Sequence, residues 1–326
     1  MINTTLKKLS EISGLSISTV SRALKNHPDI SEKTKSLVTE LANTLDYEPN
    51  INAVHLRTQN NRLFGVIVPS ISNFFHESVI SALEEECRKN NYTLMILQSG
   101  DDPEIENANI KLCRQNRVNG LFACITPETK NIESFFRLKE VDVPIIFFDR
   151  VPERSDCNKV CVADIDSASI AANLIAEKQK KKVLALFGNN NFLITKKRFN
   201  TFTGIMREYN IECITAYSSS EIHAEELTNG YLVQKPDTIF CMTDEILTGV
   251  MRAIQKKQLK VPGDIAVVAI SNGFIPTLYY PQVTYIETSG KKLGKLAFES
   301  MMAIISGNTL IQDRTIESVL VRGGSI

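Results

Sequence analysis

The N-terminal segment constrains this chain most, because a tight turn there separates two short amphipathic runs. The first run, Leu6–Ser13, stops at Gly14, and glycine readily takes the left-handed conformation that ends a helix. The second run follows Ser16, whose hydroxyl group can cap the next helix. Two short helices joined by a glycine-containing turn are typical of a helix-turn-helix unit, whose second helix enters the DNA major groove.

A third helix would complete this unit as an all-α headpiece over residues 1–47. Ser31 is its predicted N-cap, and apolar residues follow at a spacing of three to four. The residues expected to face inward are Leu37, Val38, Leu41 and Leu45. A purely structural three-helix bundle would show much of the same pattern, so that alternative stays open.

Three blocks in and after this bundle resemble the LacI/GalR family of transcription regulators: Thr19–Arg22, Tyr47–Asn50 and Ala53–Leu56. In that family they are the recognition helix, the end of the headpiece and a DNA-dependent hinge helix. Later blocks match in order along the chain: 65–68, 118–121, 144–150, 237–244 and 261–284. The resemblance implies a sequence-specific DNA-binding transcriptional regulator, with repression the favoured mode, and a hinge helix or linker over residues 48–60.

The first turn of the second helix meets base edges in a helix-turn-helix. Ile17 and Ser18 occupy that turn, and Arg22 lies on the same face as Ser18. Arginine is the best bidentate partner for guanine. The alternative is that Ile17 belongs to the core and Arg22 only contacts phosphate. The residues predicted to bind DNA, some of them through the family resemblance, are Thr5, Ser16, Ile17, Ser18, Thr19, Ser21, Arg22, Asn26, Asn50, Ala53 and Leu56.

The segment Asn50–Arg57 is too short to form a stable isolated helix. It can fold when double-stranded operator DNA and a partner chain supply the missing packing. Ala53 is small enough for two such helices to approach each other, and Leu56 can insert between minor-groove base steps. This arrangement requires two copies, so we expect a homodimer and a pseudo-palindromic operator. A polar linker with one incidental leucine is the alternative.

From Leu63 onward, apolar runs of four to six residues alternate with helical patterns. This predicts an α/β core of doubly wound parallel sheets. By resemblance the core is two-lobed and periplasmic-binding-protein-like, serves effector binding and dimerisation over residues 61–326, and crosses three times between lobes. The first lobe would hold residues 61–158 and 289–316, and the second residues 159–288 and 317–326. The predicted strands are Leu63–Val68, Thr93–Leu97, Gly120–Ile125, Val143–Phe148, Lys159–Val162, Val183–Phe187, Asp237–Met242 and Ile265–Ile270.

Parallel sheets of this kind bind ligands at the C-terminal ends of their strands. The run Asn73–His76 resembles the family's Asn-Pro-Phe-Phe loop, and Arg198 matches an arginine that would clamp a hydroxyl or carboxylate group. Ser271 replaces the aspartate that usually chelates sugar hydroxyls. The residues predicted to bind a small-molecule effector are Phe75, His76, Thr126, Asp149, Arg198, Thr243, Asp244 and Ser271.

The loss of that aspartate weakens the case for an ordinary sugar, because a charged acceptor makes a stronger hydrogen bond. The change favours a phosphorylated or acidic ligand that would contact Arg150 and Arg198. A carbohydrate-like ligand is kept as the other possibility. The alternative for both arginines is a salt bridge with Asp149, Asp164 or Asp244. Control by a protein partner instead of a small molecule is a further alternative.

Charge gives no support for DNA binding, since the chain has 37 basic and 37 acidic residues. Residues 1–60 hold seven basic residues against six acidic ones. Binding would therefore depend on geometry and on helix N-termini directed at phosphates.

Several classes of protein are disfavoured. No run of eighteen apolar residues and no leader is present, which predicts a cytoplasmic protein without a membrane partner and disfavours a stand-alone periplasmic binding protein. Seven cysteines without a CxxC motif, and four histidines without ligand-like helical spacing, give no indication of a metal site or cofactor. No catalytic motif is found, so we expect no enzyme.

No heptad run follows Ile316, which favours a dimer over a tetramer, and the tail at Gly323–Ser325 is expected to be disordered.

Overall fold

A computed structural model of the chain describes residues 5–47, 61–127, 129, 132–218 and 220–326. The chain divides into two units, Met1–Asn61 and Arg62–Ile326. The first is the helical headpiece, and the second is an α/β core with two lobes, each built on one sheet.

The headpiece contains helices α1 (Leu6–Ser13), α2 (Ile17–Leu24) and α3 (Glu32–Thr44). Thr5, Ser16 and Ser31 cap them, each side chain accepting a hydrogen bond from a backbone amide three residues later. Gly14 takes the left-handed conformation expected of it, with φ of 68°. The buried residues are Leu9, Val20, Ala23, Val38 and Ala42.

The prediction that Leu37 faces inward is wrong, since 52% of this residue is exposed. Val38 and Ala42 are four positions apart and share the buried face of α3. Leu37 precedes Val38 by one position, which rotates its side chain by about 100° around the helix and away from the core.

The first lobe is built on a six-stranded sheet in the order β11-β5-β4-β3-β1-β2 with all pairs parallel. Its strands are β1 (Leu63–Val68), β2 (Thr93–Gln98), β3 (Gly120–Ala123), β4 (Ile145–Phe148), β5 (Asn158–Val162) and β11 (Asp313–Ile316). Its helices are α4 (Phe74–Lys89), α5 (Pro103–Gln115), α6 (Glu133–Lys139) and α11 (Gly290–Ile305). Helices α4 and α11 approach closely, because a Cβ atom on Gly294 would lie 2.6 Å from the Val79 carbonyl oxygen.

The second lobe is built on a six-stranded sheet in the order β12-β10-β9-β8-β6-β7. Its strands are β6 (Lys182–Phe187), β7 (Glu212–Tyr217), β8 (Thr238–Cys241), β9 (Ala266–Ser271), β10 (Thr284–Glu287) and β12 (Val319–Val321). Only β12 runs antiparallel to its neighbour. The helices are α7 (Asp164–Glu177), α8 (Leu193–Glu208), α9 (Glu221–Tyr231) and α10 (Asp244–Lys256), with short 3-10 turns at Leu232–Gln234 and Ile275–Leu278.

The predicted fold class is confirmed, with two differences in detail. The chain passes between the lobes after β5, β10 and β11, and β5 pairs with β4 in the first sheet. The expected start of the second lobe at residue 159 is therefore too early. Strands β7, β10, β11 and β12 were not predicted as strands.

The C-terminal tail is ordered, so the expectation of disorder was wrong. Ser325 is fully buried, and its hydroxyl group donates a hydrogen bond to the Val267 carbonyl oxygen and accepts one from the Thr284 amide. The Gly324 amide donates to the carbonyl oxygen of Gln282. These bonds fasten the end of the chain to the second sheet.

Candidate functional site

The outward face of helix α2 carries the residues expected to read DNA. Ile17 is 48% exposed, and Ser18 and Arg22 are also exposed. The inward positions of this helix are Val20 and Ala23, so the alternative that places Ile17 in the core is wrong. Within the described part of the headpiece, Arg22 forms no ion pair or side-chain hydrogen bond, which leaves its guanidinium group available to a partner.

The other predicted DNA-binding residues differ in their roles. Thr5 and Ser16 are helix caps, and Thr19 and Ser21 are half-buried. Asn26 follows α2, is exposed and takes a left-handed backbone conformation with φ of 54°. Asn50, Ala53 and Leu56 lie outside the described residues.

In the core, a cavity of about 290 Å³ lies between the two lobes at the C-terminal ends of both sheets. It brings together most of the predicted effector residues. Those that line it are Phe75, His76, Asp149, Arg198, Thr243, Asp244 and Ser271.

Thr126 does not line this cavity, contrary to prediction. Strand β3 ends at Ala123, and the chain then turns so that the Thr126 amide donates a hydrogen bond to Oε1 of the buried Glu106, 2.9 Å away. Its hydroxyl group lies 2.8 Å from that of Thr129. Thr126 instead lines a neighbouring cavity together with Arg154 and Lys197.

The first-lobe wall centres on a pair formed by His76 and Asp149. Asn73 caps helix α4 and thereby places His76 in its first turn, where His76 Nε2 lies 3.1 Å from Asp149 Oδ2. Burial alone would raise the pKa of Asp149, but His76, aided by Arg150 and Arg198, holds it below its usual range. Cys124 Sγ lies 3.7 Å from His76 Nε2 and 3.7 Å from Asp149 Oδ2. His76 Nδ1 is buried and has no partner among the described residues.

Both arginines at the cavity already have carboxylate partners. Arg198 lies 2.9 Å from Asp164 in a buried ion pair and also donates to the Met242 carbonyl oxygen. Burial raises the pKa of Asp164, and the charge of Arg198 opposes that rise. Arg150 pairs with Asp101 at 2.7 Å, and its guanidinium carbon lies 4.0 Å from the centre of the Phe192 ring. Arg198 therefore forms one of the salt bridges that the alternative named. Arg150 also forms a salt bridge, but its partner Asp101 was not among the three carboxylates considered.

The second-lobe wall contains a buried carboxylate with a different environment. Asp244 Oδ1 accepts a hydrogen bond from the Ser271 hydroxyl group, and Oδ2 accepts one from the Asn272 amide at 3.0 Å. Within the described residues, Asp244 has no ion-pair partner. Burial raises its pKa to about 6, partly offset by these two hydrogen bonds. Thr243 caps helix α10 and so fixes Asp244 at its first position.

Hydrogen bonds across the cleft join the two lobes. Asn73 Nδ2 donates to Glu245 Oε1 at 2.6 Å. Asn272 Oδ1 accepts bonds from Ser78 Oγ at 3.3 Å and from the Gly290 amide at 2.9 Å. Asn272 was not among the predicted site residues, although it lies within the block 261–284 that resembles the family. Thr195, whose buried hydroxyl group has no partner among the described residues, was also missed.

No helix in the described ranges combines the length and apolar character needed to cross a membrane.

Comparisons with known proteins agree with both parts of the structure. Residues 5–50 match the model of bacterial regulatory proteins of the lacI family, and residues 61–321 match that of periplasmic binding proteins and the sugar binding domain of the LacI family. The transcriptional repressor PurR of Vibrio atlanticus is 24% identical over 310 residues, which is 91% of each chain. NtdR, the NTD biosynthesis operon regulator of Bacillus subtilis, is 24% identical over 322 residues, or 96% of each chain.

Solved structures give the same result. The lac repressor dimer bound to operator and the anti-inducer ONPF has a TM-score of 0.88 at 20% identity, with 99% of each chain covered. A LacI-type regulator from Alkaliphilus metalliredigens complexed with D-xylulofuranose has a TM-score of 0.71 at 25% identity, covering 81% of this chain and 98% of that one. The members of this family are regulators rather than enzymes. The chain belongs to the LacI family, and it is a DNA-binding transcriptional repressor with a ligand-binding domain.

Proposed function

We propose that the protein acts as a homodimer on a pseudo-palindromic operator, and that a small molecule in the cavity between the lobes sets its affinity for DNA. The observation that carries this proposal is the cavity itself, whose walls are hydrogen-bonded to each other through Asn73, Glu245 and Asn272. A ligand that binds there with different affinity in open and closed arrangements shifts the balance between them. The protein works in the cytoplasm and catalyses no reaction.

The charges of the cavity favour a neutral polyhydroxylated effector over a phosphorylated one. Arg150 and Arg198 are neutralised by Asp101 and Asp164, so an added phosphate would have to displace a carboxylate. Asp244 is instead an acceptor without a cation and can receive a hydroxyl group of the ligand. The cavity volume of about 290 Å³ is at the lower end of ligand pockets, which suits a ligand of monosaccharide size.

The link to DNA runs through residues 48–60. We propose that they form a hinge helix when two chains meet on one operator, with Leu56 inserted into the minor groove. Since a segment of this length has little helical stability alone, a small change in the separation of the two chains is enough to melt it.

The dimer is tested by sedimentation velocity with a cognate duplex. We expect two chains per duplex. One chain per duplex at saturation would contradict the proposal.

The effector is tested by calorimetry with neutral monosaccharides and their phosphate esters. We expect a neutral sugar to bind, Asp244→Ala to abolish its binding, and Asp313→Asn, which changes an exposed carboxylate on β11, to leave it unchanged. Tighter binding of a phosphate ester than of its parent sugar would contradict the effector class. Absence of binding by the whole panel would favour control by a protein partner.

A further inference from the structure

Three side chains with different ligand atoms converge beside the cavity. His76 comes from the first turn of α4, Cys124 directly follows β3, and Asp149 directly follows β4. His76 Nε2 and Asp149 Oδ2 are 3.1 Å apart, and Cys124 Sγ lies 3.7 Å from each. In the part of the chain that the structure describes, no other group of three histidine, cysteine or acidic residues meets in this way.

These separations match three corners of a tetrahedral metal site. Zinc binds nitrogen at about 2.0–2.1 Å, carboxylate oxygen at about 2.0–2.2 Å and sulfur at about 2.3 Å. With tetrahedral angles, the ligand atoms are then about 3.3–3.6 Å from one another. The observed separations differ from this range by only 0.1–0.2 Å. A modest side-chain rotation therefore brings the three atoms onto one ion.

The chemistry of the trio also suits a divalent transition metal. Imidazole nitrogen, thiolate sulfur and carboxylate oxygen are all zinc ligands, whereas magnesium and calcium require oxygen donors. When the metal binds, Cys124 loses its thiol proton and His76 Nε2 loses the proton that it directs at Asp149 Oδ2, and both protons go to solvent. The thiolate and the carboxylate then carry two negative charges that a divalent ion neutralises, which favours burial of the group.

We propose that His76, Cys124 and Asp149 bind a zinc-class divalent cation in the first-lobe wall. His76 and Asp149 line the cavity, whereas the fully buried Cys124 does not. The three protein ligands therefore leave one coordination position on the cavity side, which a water molecule or an effector oxygen fills. The cation is thus a candidate component of effector recognition, and its binding does not depend on the operator or on the identity of the effector.

Cobalt(II) provides the direct test, because a thiolate ligand gives it a near-ultraviolet charge-transfer band and four-coordination gives intense visible bands. The full-length protein is stripped with a chelator and titrated with Co²⁺ under anaerobic conditions. We expect both bands to saturate at one ion per chain. Cys124→Ser should lose the charge-transfer band, and Cys213→Ser, which alters a half-buried cysteine on β7, should retain it. Absence of the band in the unaltered protein, or its retention in Cys124→Ser, would overturn the proposal.

Zinc affinity is then measured by competition with a chromophoric chelator. Second-shell changes weaken metal sites by about 10–100-fold, so removal of a direct ligand in His76→Gln or Asp149→Asn should weaken zinc binding by at least about 100-fold. Circular dichroism checks that each variant is folded. Equal zinc affinities for the folded variants and the unaltered protein would show adventitious binding and would overturn the proposal. DNA binding is not part of either readout, so this result is separate from the test of the dimer.

Discussion

The charged side chains of helix α2 and those of the cavity between the lobes differ in whether they are paired within the protein. On α2, Arg22 is exposed and unpaired within the described headpiece, beside the exposed Ile17. In the cavity, Arg198 is buried against Asp164, and Arg150 is bonded to Asp101. Water hydrates the exposed groups of α2 until a DNA partner brings its own charges and hydrogen-bond acceptors, so these groups need no partner within the protein. Charges buried in the cavity wall have no access to water, so they must be paired within the protein even when no ligand is bound.

Asp244 departs from this pattern. It is a buried carboxylate with hydrogen bonds but no cation, and burial raises its pKa to about 6. Asp244 is therefore a buried acidic group of the cavity wall whose charge no cation among the described residues compensates. This group is the point at which a ligand gains most by donating hydrogen bonds.

The largest expected effect comes from Arg198→Met, which leaves Asp164 buried without its cation. Breaking a buried pair by removing one partner costs about 3–5 kcal/mol in the free energy of unfolding. Urea denaturation measures the loss. Arg154→Met is the control, because the Arg154–Asp156 pair is exposed and its loss should change stability little. Equal effects of the two substitutions would contradict the distinction between buried and surface charges.

The next effect concerns Asp244 and pH. Burial raises the pKa of Asp244 from the ordinary 3.8 to about 6, so the folded protein binds this proton more tightly than the unfolded chain. Stability from this group is highest below pH 3.8, falls as the pH rises towards about 6 and is then constant. The difference at pH 7 is about 3 kcal/mol.

Asp244→Asn should remove this pH dependence. The difference in unfolding free energy between the variant and the unaltered protein should therefore change across this window in favour of the variant. Urea denaturation at several pH values measures it, and Asp313→Asn provides an exposed carboxylate as control. Parallel curves of unfolding free energy against pH for Asp244→Asn and the unaltered protein would show that the protein compensates the charge of Asp244.

On the recognition helix, Arg22→Ala should relax the preference at one operator position by about 1–3 kcal/mol, as expected for a bidentate contact with guanine. Fluorescence anisotropy with operators altered at single positions measures this. Lys25→Ala is the comparison. We expect Lys25, an exposed residue at the C-terminal end of α2, to contact phosphate, and loss of such a contact lowers affinity for all sequences alike. An unchanged base profile for Arg22→Ala would indicate that Arg22 contacts only the DNA backbone.

The smallest effect is at the cap of the same helix. Ser16 accepts a hydrogen bond from the Thr19 amide at 3.1 Å, and loss of such a cap costs about 1 kcal/mol. Ser16→Ala should therefore speed hydrogen exchange at the start of α2 by about fivefold, as measured by mass spectrometry. Ser36→Ala, at an exposed position of α3, should leave that exchange unchanged. Equal rates in Ser16→Ala and the unaltered protein would show that the cap contributes nothing.

Local signals made the headpiece predictable. Thr5 and Ser16 cap the starts of α1 and α2, and Gly14 ends α1, through bonds and backbone geometry within three or four positions. The local sequence is therefore sufficient to predict these two helices. Strands β1–β6, β8 and β9 were predictable for the same reason, whereas the buried strand β10 was missed. Strand β7 was not predictable, because Glu212–Tyr217 lies at a sheet edge, is mostly half-exposed and lacks a continuous apolar run.

The site depended on contacts that no local pattern contains. His76 and Cys124 are 48 positions apart, and their approach depends on the tertiary packing of the first lobe. Ser325 is buried because it bonds to Val267, 58 positions earlier. Most of the effector residues predicted with the help of the family resemblance line the cavity, but the resemblance could not show that Arg150 pairs with Asp101 or that Ser271 donates to Asp244.

Selection from a random pool of DNA duplexes with the full-length protein shows whether two headpieces bind one operator together. Two headpieces held by one dimer should enrich a single motif made of two inverted half-sites at a fixed spacing. An enriched motif with only one half-site, or a pool with no enriched sequence, would contradict the account.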